Sequence, residues 1–177
     1  DFVAKNVHVV GAGVMGGDIA AICAMRGITV TLQDTAPERI APAIKRAAAL
    51  FKRRLRDPRR IRDALDRMIP DTTGIGAAKA DVIIEAIFEN LEAKRALFAK
   101  LEPLAKPGAI LASNTSSLKL SDIAANFKDP GRLVGIHFFN PVPQMMLVEV
   151  ISGAGTNPED AKNAAAFVRQ IDKLPLP

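Results

Sequence analysis

The sequence is poor in cysteine, histidine and large aromatic residues. Its 177 residues include one Cys, two His and eight Phe, with neither Trp nor Tyr. The single Cys23 excludes an internal disulfide framework and a cysteine-rich zinc site, so a reducing compartment is expected and no metal site is predicted. No apolar run approaches the roughly 18 residues that cross a membrane. The first residues lead straight into a predicted strand, so no signal peptide is expected.

The composition that remains is typical of a globular domain. Hydrophobic residues make up 49% of the chain and charged residues 24%, which excludes global disorder. A chain of this length is long enough to enclose a core of ordinary size.

Positive charge is concentrated in one segment, the basic arm of residues 45–67. The arm holds ten basic and three acidic residues, a local net charge of +7, whereas the whole chain carries +5 and the remainder therefore −2. A solvated helix face explains such a run. Nucleic-acid binding is not favoured, because no aromatic residues interleave for base stacking and no nucleic-acid-binding motif is present.

Short β-branched runs alternate with alanine-rich stretches, which predicts an α/β fold: a Rossmann-like, doubly wound, mostly parallel sheet. The predicted strands are residues 7–10, 28–32, 82–86, 110–112, 133–137 and 147–151. The predicted helices are residues 16–26, 89–102, 121–126 and 156–170, with the basic arm inserted after the second strand as a helical hairpin. Residues 69–76 are predicted as a loop, and the proline-rich residues 173–177 as an interdomain linker.

Helix boundaries are predicted from capping and proline signals. Thr35 with Glu38 and Thr156 with Glu159 have the spacing of capping boxes. Pro42 is expected to kink the helix around it or to delay its start, Pro103 to end one, and the residue before Pro58 to divide the arm into two helices.

Residues 11–16, Gly-Ala-Gly-Val-Met-Gly, follow a predicted strand and open a predicted helix. This context gives the G-x-G-x-x-G spacing its meaning as a dinucleotide-binding loop, whose helix N-terminus faces the phosphates. Asp34 ends the second strand, where a carboxylate accepts hydrogen bonds from the adenosine ribose. Its charge would repel a 2′-phosphate and no Arg follows it immediately, so NAD is predicted rather than NADP.

The two histidines occupy different contexts. His8 lies within an apolar strand and is interpreted as a packed residue. His137 ends a predicted strand, at the edge where open α/β sheets bind ligands. Glu149 lies in an otherwise apolar strand twelve residues later, and burying an acid is costly unless it is paired. The two residues are therefore predicted to form either a catalytic His–Glu dyad or a structural salt bridge.

Four sequence motifs follow one another along the chain. They are the glycine loop at 11–16, Glu-Ala-Ile-Phe-Glu-Asn-Leu at 85–91, Ala-Ser-Asn-Thr-Ser-Ser-Leu at 112–118, and His-Phe-Phe-Asn-Pro-Val at 137–142 with Leu-Val-Glu-Val-Ile at 147–151. In this order they resemble the motifs of L-3-hydroxyacyl-CoA dehydrogenase NAD-binding domains. Further details, such as the Met-Gly-Gly at 15–17, resemble the bacterial multifunctional β-oxidation enzymes more than the short stand-alone form.

The resemblance implies a role for each matching residue. His137 corresponds to the catalytic base, Glu149 to its partner, and Ser116 to a serine that hydrogen-bonds the substrate oxygen, with a plain loop serine as the alternative. The implied cofactor contacts are Gly11, Gly13, Val14, Met15, Gly16, Asp34, Ala86, Glu89, Lys94 and Asn114. For Glu89 and Lys94 the alternative is an ordinary surface ion pair. Asn140 is implied to shape the active-site loop and to contact substrate less directly.

The resemblance also implies partners beyond residues 1–177, which are expected to form one NAD-binding domain. A helical C-terminal domain is expected to complete the acyl-CoA site and the dimer interface, and an enoyl-CoA hydratase domain to precede this one in a multifunctional enzyme. Activity of residues 1–177 alone is expected to be low. A bacterial cytoplasmic protein is expected, with mitochondrion or peroxisome as alternatives.

The resemblance implies oxidation of L-3-hydroxyacyl-CoA to 3-oxoacyl-CoA in fatty acid β-oxidation, and three alternatives remain open. Dehydrogenases with similar motifs act on 3-hydroxybutyryl-CoA or on sugar acids such as gulonate, and a non-catalytic cofactor-binding module is the third possibility. The basic arm favours a CoA substrate, since CoA carries phosphates that an Arg-rich helix can meet.

Overall fold

One eight-stranded sheet and six α-helices make up the computed structural model, which describes residues 1–177. The strands are β1 Asn6–Val10, β2 Thr29–Gln33, β3 Met68–Asp71, β4 Val82–Glu85, β5 Ile110–Ser113, β6 Leu133–Phe138, β7 Leu147–Ile151 and β8 Leu174–Leu176. The α-helices are α1 Val14–Met25, α2 Pro37–Arg54, α3 Pro58–Asp66, α4 Leu91–Leu104, α5 Leu120–Ile123 and α6 Pro158–Gln170. Short 3-10 turns cover Ile75–Lys79 and Pro130–Arg132.

The sheet order is β3-β2-β1-β4-β5-β6-β7-β8. The first six strands run parallel, β7 is antiparallel to β6, and β8 is parallel to β7. An order of 3-2-1-4-5-6 is that of the doubly wound Rossmann fold, so the predicted fold class is confirmed. The carboxyl ends of the parallel strands meet at one edge, and the winding reverses between β1 and β4.

Helices cover both faces of the sheet. A larger apolar layer joins α1, α2 and α6 to one face, and a smaller one joins α4 and α5 to the other. The central strand β4 is buried on both sides, which explains why Val82, Ile83 and Ile84 form an uninterrupted apolar run. None of the helices combines the length and apolarity needed to cross a membrane.

Both predicted capping boxes are wrong, for a shared reason. The first helical residues are Pro37 in α2 and Pro158 in α6, and the residues before them make no side-chain cap. Proline is favoured at the first position because its fixed φ suits the helix and its missing N–H is not needed there. Each threonine, Thr35 and Thr156, therefore lies one position too early to cap.

The prolines inside α2 and α4 do not end these helices. α2 continues through Pro42, and α4 continues past Pro103 to its end at Leu104, so the predicted end at residue 102 is wrong. A proline in a last turn removes only one backbone hydrogen bond. The predicted break in the basic arm is confirmed, because Asp57 caps α3 by accepting a 3.0 Å hydrogen bond from the Arg59 amide.

Two edge strands were not predicted. β3 pairs with β2 inside the segment interpreted as a loop, and β8 pairs with β7 inside the segment interpreted as a linker. Each contains a proline, Pro70 or Pro175, which argues against a central strand but is tolerated at an edge. Residues 174–176 are therefore part of the sheet.

Candidate active site at the carboxyl edge of the sheet

The glycine loop between β1 and α1 is shaped by three different constraints. Gly11 has φ of +106°, and a Cβ there would lie 2.5 Å from the carbonyl oxygen of Ala86. A Cβ on Gly16 would lie 1.7 Å from the carbonyl oxygen of Gly11, so helix and loop pack backbone to backbone. A Cβ on Gly13 would meet nothing within 4 Å. The loop therefore leaves one open face at the start of α1, where Val14 and the next residue, Met15, expose unpaired backbone N–H groups.

Asp34 follows β2 and holds the same loop. Its Oδ2 accepts a 2.9 Å hydrogen bond from the Ala12 amide, and its Oδ1 accepts a 2.7 Å bond from the Thr35 amide. A cavity of about 560 Å³ opens beside it, bounded also by Gly13, Arg39 and Phe88. An open glycine at one side and a carboxylate at the other fit the pyrophosphate and ribose of a dinucleotide.

Arg39 was missed by the sequence analysis, which considered only residues adjacent to Asp34. Arg39 lies five residues after Asp34, in the first turn of α2, and it lines the same cavity. A helix that begins at Pro37 places Arg39 in its first turn, close to Asp34, and this position could have been inferred from the sequence.

A buried acid closes the end of β4. Glu85 is fully buried, accepts hydrogen bonds from the Ser113 hydroxyl at 2.5 Å and the Ile87 amide at 2.9 Å, and forms an ion pair with Lys94. The burial and pairing of Glu85 were not predicted from the sequence, although Glu85 follows three buried apolar residues. The cost of burying an unpaired acid, which pointed to Glu149, applies equally here.

Glu89 connects this buried pair to the loop after β5. Lys94 is 1% exposed and its Nζ lies 3.2 Å from a Glu89 oxygen, so the two form an ion pair whose lysine lies in the interior. Glu89 also accepts hydrogen bonds from the Thr115 hydroxyl at 2.9 Å and the Ser116 amide at 2.9 Å. The hydroxyls of Ser116 and Ser117 each lie 3.2 Å from its Oε2.

These contacts set the charge of Glu89. Burial acts to raise its pKa, but hydrogen bonds from the Ser116 amide and the Thr115 hydroxyl, together with Lys94, outweigh burial and lower the pKa from 4.5 to about 2. Glu89 is therefore ionised at neutral pH. By accepting these hydrogen bonds it holds in place the loop of residues 114–117, which follows β5.

His137 and Glu149 face each other across the only antiparallel pair of strands. They are direct partners in the β6–β7 register, with 2.8 Å between Nδ1 and Oε1. Since an ionised carboxylate only accepts hydrogen bonds, Nδ1 carries the proton and Nε2 presents its lone pair. Nε2 makes no hydrogen bond within the chain. Phe139 packs edge-on against the imidazole with 4.7 Å between ring centroids.

Asn114 joins the ends of β5 and β6. Its Oδ1 accepts a 2.8 Å hydrogen bond from the Phe138 amide, directly after His137. Asn140 is exposed in the loop after β6, and neither Asn140 nor Ser116 makes a hydrogen bond to His137. The loop of residues 114–117 and the glycine loop each follow a parallel strand, and His137 lies one residue before the end of the parallel strand β6, so all three are at the carboxyl edge of the sheet.

The other histidine is packed in the sheet, as the sequence predicted. His8 is fully buried, with its ring nitrogens 2.6 Å from the Thr31 hydroxyl and 2.8 Å from Gln33 Oε1. Burial lowers its pKa below 6.5, although the hydrogen bond to Gln33 and the charge of Asp71 oppose the change.

The basic arm is only partly a solvated face. Three of its side chains donate to backbone carbonyls of other elements: Arg46 to Gly13, Arg54 to Pro143 and Arg67 to Ala24, at 3.2, 2.9 and 2.8 Å. The other seven are exposed: Lys45, Lys52, Arg53, Arg56, Arg59, Arg60 and Arg62.

A Rossmann-type sheet with a dinucleotide cradle beside a histidine–carboxylate pair is typical of the nucleotide-binding domains of dehydrogenases. Comparison with known sequences identifies the family. Residues 6–177 match the 3-hydroxyacyl-CoA dehydrogenase NAD binding domain, and the chain belongs to this family. NAD is accordingly its cofactor, in agreement with the prediction from Asp34.

Relatives at 36–40% identity match nearly the whole chain. It is 40% identical to 3-hydroxyadipyl-CoA dehydrogenase of Escherichia coli K12 over 97% of its length, and 36% identical to the fatty acid oxidation complex subunit alpha of Ectopseudomonas oleovorans over 98%. The crystal structure of 3-hydroxybutyryl-CoA dehydrogenase from Escherichia coli K12 superposes with a TM-score of 0.93 at 38% identity, over 98% of this chain and 38% of that one. The chain spans 36% and 25% of the two relatives' own lengths.

Proposed function

We propose that this chain is the NAD-binding domain of an enzyme that oxidises the 3-hydroxyl group of L-3-hydroxyacyl-CoA to a 3-oxo group. The observation that carries the proposal is the His137–Glu149 pair, 2.8 Å apart at the sheet edge that also holds the dinucleotide cradle. A structural salt bridge needs no such location, whereas a general base must lie beside the cofactor.

His137 acts as the general base. Its free Nε2 takes the proton of the substrate hydroxyl, while Glu149 holds the Nδ1 proton, fixes the tautomer and stabilises the imidazolium that forms. NAD held by the glycine loop and Asp34 would supply the acceptor for the hydride that leaves the same carbon. The proton and the hydride together account for both hydrogens that the alcohol loses.

Ser116 orients the substrate hydroxyl. Because its own hydroxyl donates to Glu89, its lone pairs point away from that carboxylate and remain able to accept a hydrogen bond. Asn114 precedes both members of the dyad in the chain, and Asn140 lies in the loop between them. Asn114 holds the strand end beside the nicotinamide, and Asn140 shapes the loop that borders the substrate.

The cofactor contacts divide into two groups. The glycine loop and Asp34 bind the pyrophosphate and ribose directly. Glu89 and Lys94 act through the loop of residues 114–117, since Lys94 is buried and bonded to Glu85, Glu89 and the Ile87 carbonyl oxygen.

A further domain completes the substrate site. The proposal is supported by the small share of its relatives that the chain spans, and by an apolar surface beside the dyad. Leu147, Ile151, Leu174 and Leu176 of β7 and β8 are each at least 37% exposed on the face that carries Glu149. A helical domain following residue 177 covers this surface and forms the dimer interface. In a multifunctional parent, an enoyl-CoA hydratase domain precedes this one.

The exposed part of the basic arm meets the phosphates of CoA. Its seven exposed cations that bond to no other element have no carboxylate partner within 4.0 Å, so their charge is available to an anionic ligand. Short acyl chains such as 3-hydroxybutyryl are the second candidate substrate, favoured by the high structural similarity to a 3-hydroxybutyryl-CoA dehydrogenase.

The proposal is tested by the reduction of acetoacetyl-CoA with NADH, using the full-length protein and its His137→Gln variant. In this reverse direction the protonated His137 donates the proton to the 3-oxo group. Its loss should therefore lower kcat by about 100-fold or more without weakening NADH binding, because general acid–base catalysis contributes roughly 10²–10⁴-fold. The matched control is His8→Gln, which changes the other histidine and should retain kcat. Equal rates for wild type and His137→Gln would remove the dyad from the mechanism.

A further inference from the structure

Lys173 is a buried lysine without an acidic partner, and it contacts the loop between β6 and β7. Lys173 precedes β8 and is 6% exposed, and no carboxylate lies within 4.0 Å of its Nζ. Instead, Nζ donates to the backbone carbonyls of Val142 at 2.9 Å and Met145 at 2.7 Å. A charge removed from water without a counter-ion is costly, so the contacts that retain it must be specific.

Both carbonyls belong to the loop of residues 139–146, which we call the dyad loop because it joins His137 on β6 to Glu149 on β7. The loop is held at further points. The Leu174 amide donates to the Met146 carbonyl at 2.9 Å, and Arg54 of α2 donates to the Pro143 carbonyl at 2.9 Å.

Four carbonyls of one short loop are thus bonded to groups on two distant elements, α2 and the residues that open β8. Inside the loop, only the Pro141 carbonyl accepts from following amides, those of Gln144 and Met145 at 3.1 and 3.2 Å. Buried carbonyls that lack a regular ladder need other donors. An ammonium offers three donors from a single point, which suits two carbonyls converging from different directions.

We propose that Lys173 is a positioning residue for the dyad: its ammonium, together with Arg54 of α2, fixes the dyad loop and thereby the placement of His137 and Asn140. The inference rests on the proposed function and deepens it. Burial and the nearby charges of Arg54 and Arg26 lower the pKa of Lys173, in agreement with an ammonium held by dipoles rather than by a carboxylate.

The position of Lys173 directly before β8 also couples the dyad loop to that strand. Leu174, the next residue, begins β8 and bonds to Met146, so a displacement of β8 moves the ammonium and the end of the dyad loop together. Misplacement of reacting groups by about 1 Å costs on the order of 100-fold in rate. Loss of the ammonium is therefore expected to appear in kcat.

The test compares Lys173→Met with Lys162→Met in the full-length protein. Lys162 is an exposed residue of α6 and controls for the loss of a lysine charge near the sheet. We expect Lys173→Met to lower kcat for acetoacetyl-CoA reduction at least tenfold, with the Kd of NADH changed less than twofold. Amide hydrogen exchange at Gln144 and Met145 should accelerate at least tenfold, while Lys162→Met changes neither property.

Several outcomes separate the hypotheses. Faster exchange with an unchanged kcat overturns the positioning role, and so does an unchanged exchange rate. If Lys173→Met fails to fold, Arg54→Gln removes another restraint on the same loop, the bond to the Pro143 carbonyl, from an exposed side chain. It must then lower kcat and accelerate exchange, or the inference is wrong. If wild type and His137→Gln are equally active, the proposed function fails, and the exchange measurement still decides whether Lys173 holds the loop.

Discussion

The close contact between Gly16 and the backbone of Gly11 makes Gly16→Ala an informative perturbation. The new Cβ would lie 1.7 Å from the Gly11 carbonyl oxygen, whereas Cβ atoms essentially never approach a neighbour within 3.0 Å. Helix and loop must therefore separate by at least 1.3 Å, the difference between these two distances. The atom met is backbone, so no side-chain rotation relieves the conflict.

The expected magnitude follows from two opposing effects. Forced overpacking costs about 1–3 kcal/mol, and a backbone contact belongs at the upper end of that range. Replacing glycine by alanine in a helix recovers up to about 1 kcal/mol. We expect a net loss of about 2 kcal/mol, which corresponds to a decrease in Tm of about 4–8 °C for a domain of this size. NAD binding should also weaken, because the start of α1 leaves the pyrophosphate position.

Gly13→Ala is the matched control. Gly13 has φ of −68° and ψ of −168°, which alanine adopts freely, and its Cβ would meet nothing within 4 Å. This variant should keep its Tm within about 2 °C, since the change is worth under about 0.5 kcal/mol. It should nonetheless lose at least tenfold in NADH affinity, about 1.4 kcal/mol, because the methyl group enters the cofactor space. Circular dichroism melting without cofactor and NADH fluorescence titration measure the two effects, and an unchanged Tm in Gly16→Ala would refute the reasoning.

Three other predictions concern charge. Asp34→Arg should weaken NAD binding relative to NADP at least tenfold in calorimetric titration, since it removes the ribose acceptor and supplies a cation for the 2′-phosphate; an unchanged ratio contradicts the assignment. Glu89→Gln should flatten the stability profile at acid pH. The folded-state pKa of about 2 lies below the value of 4.5 expected when unfolded, so the wild type loses this contribution as pH falls from about 4.5 to 2, and parallel urea profiles for the two proteins would argue against it. His8→Gln should flatten the profile near pH 6.5: burial lowers the folded-state pKa, so only the unfolded chain takes up the proton and the wild type loses stability as pH falls below 6.5. Identical acid melting curves for wild type and His8→Gln would contradict this prediction.

Much of the site was predictable from the sequence, because each part depends on local patterns with long-range consequences. The glycine spacing predicts the turn at Gly11 and the tight packing at Gly16. The alternation of strands and helices predicts a parallel sheet, so the segments that follow its strands meet at one edge. The pairing of His137 with Glu149 follows from an acid in an apolar strand and a strand-loop-strand interpretation.

The parts that were not predictable depend on tertiary contacts that no local pattern records. Lys173 lies in a proline-rich segment typical of a linker, and only pairing with β7 reveals it as the start of a strand. Lys94 reads as a surface residue of an amphipathic helix until the burial of Glu85 beneath it is known. Helix starts were misplaced because Pro37 and Pro158 compete with threonine caps and prevail.

The pairing of His137 with Glu149 depends on the register between β6 and β7, and not on the length of the loop that joins these strands. In a β-ladder a slip of one residue turns every side chain to the opposite face, so bringing Val148 or Val150 opposite His137 would turn Glu149 into the core. Insertions or deletions within residues 139–146 leave His137 opposite Glu149 as long as the ladder keeps its register, but they move the carbonyls that Lys173 and Arg54 hold. The register therefore determines which two residues pair, and the anchored loop determines where the pair lies relative to the substrate.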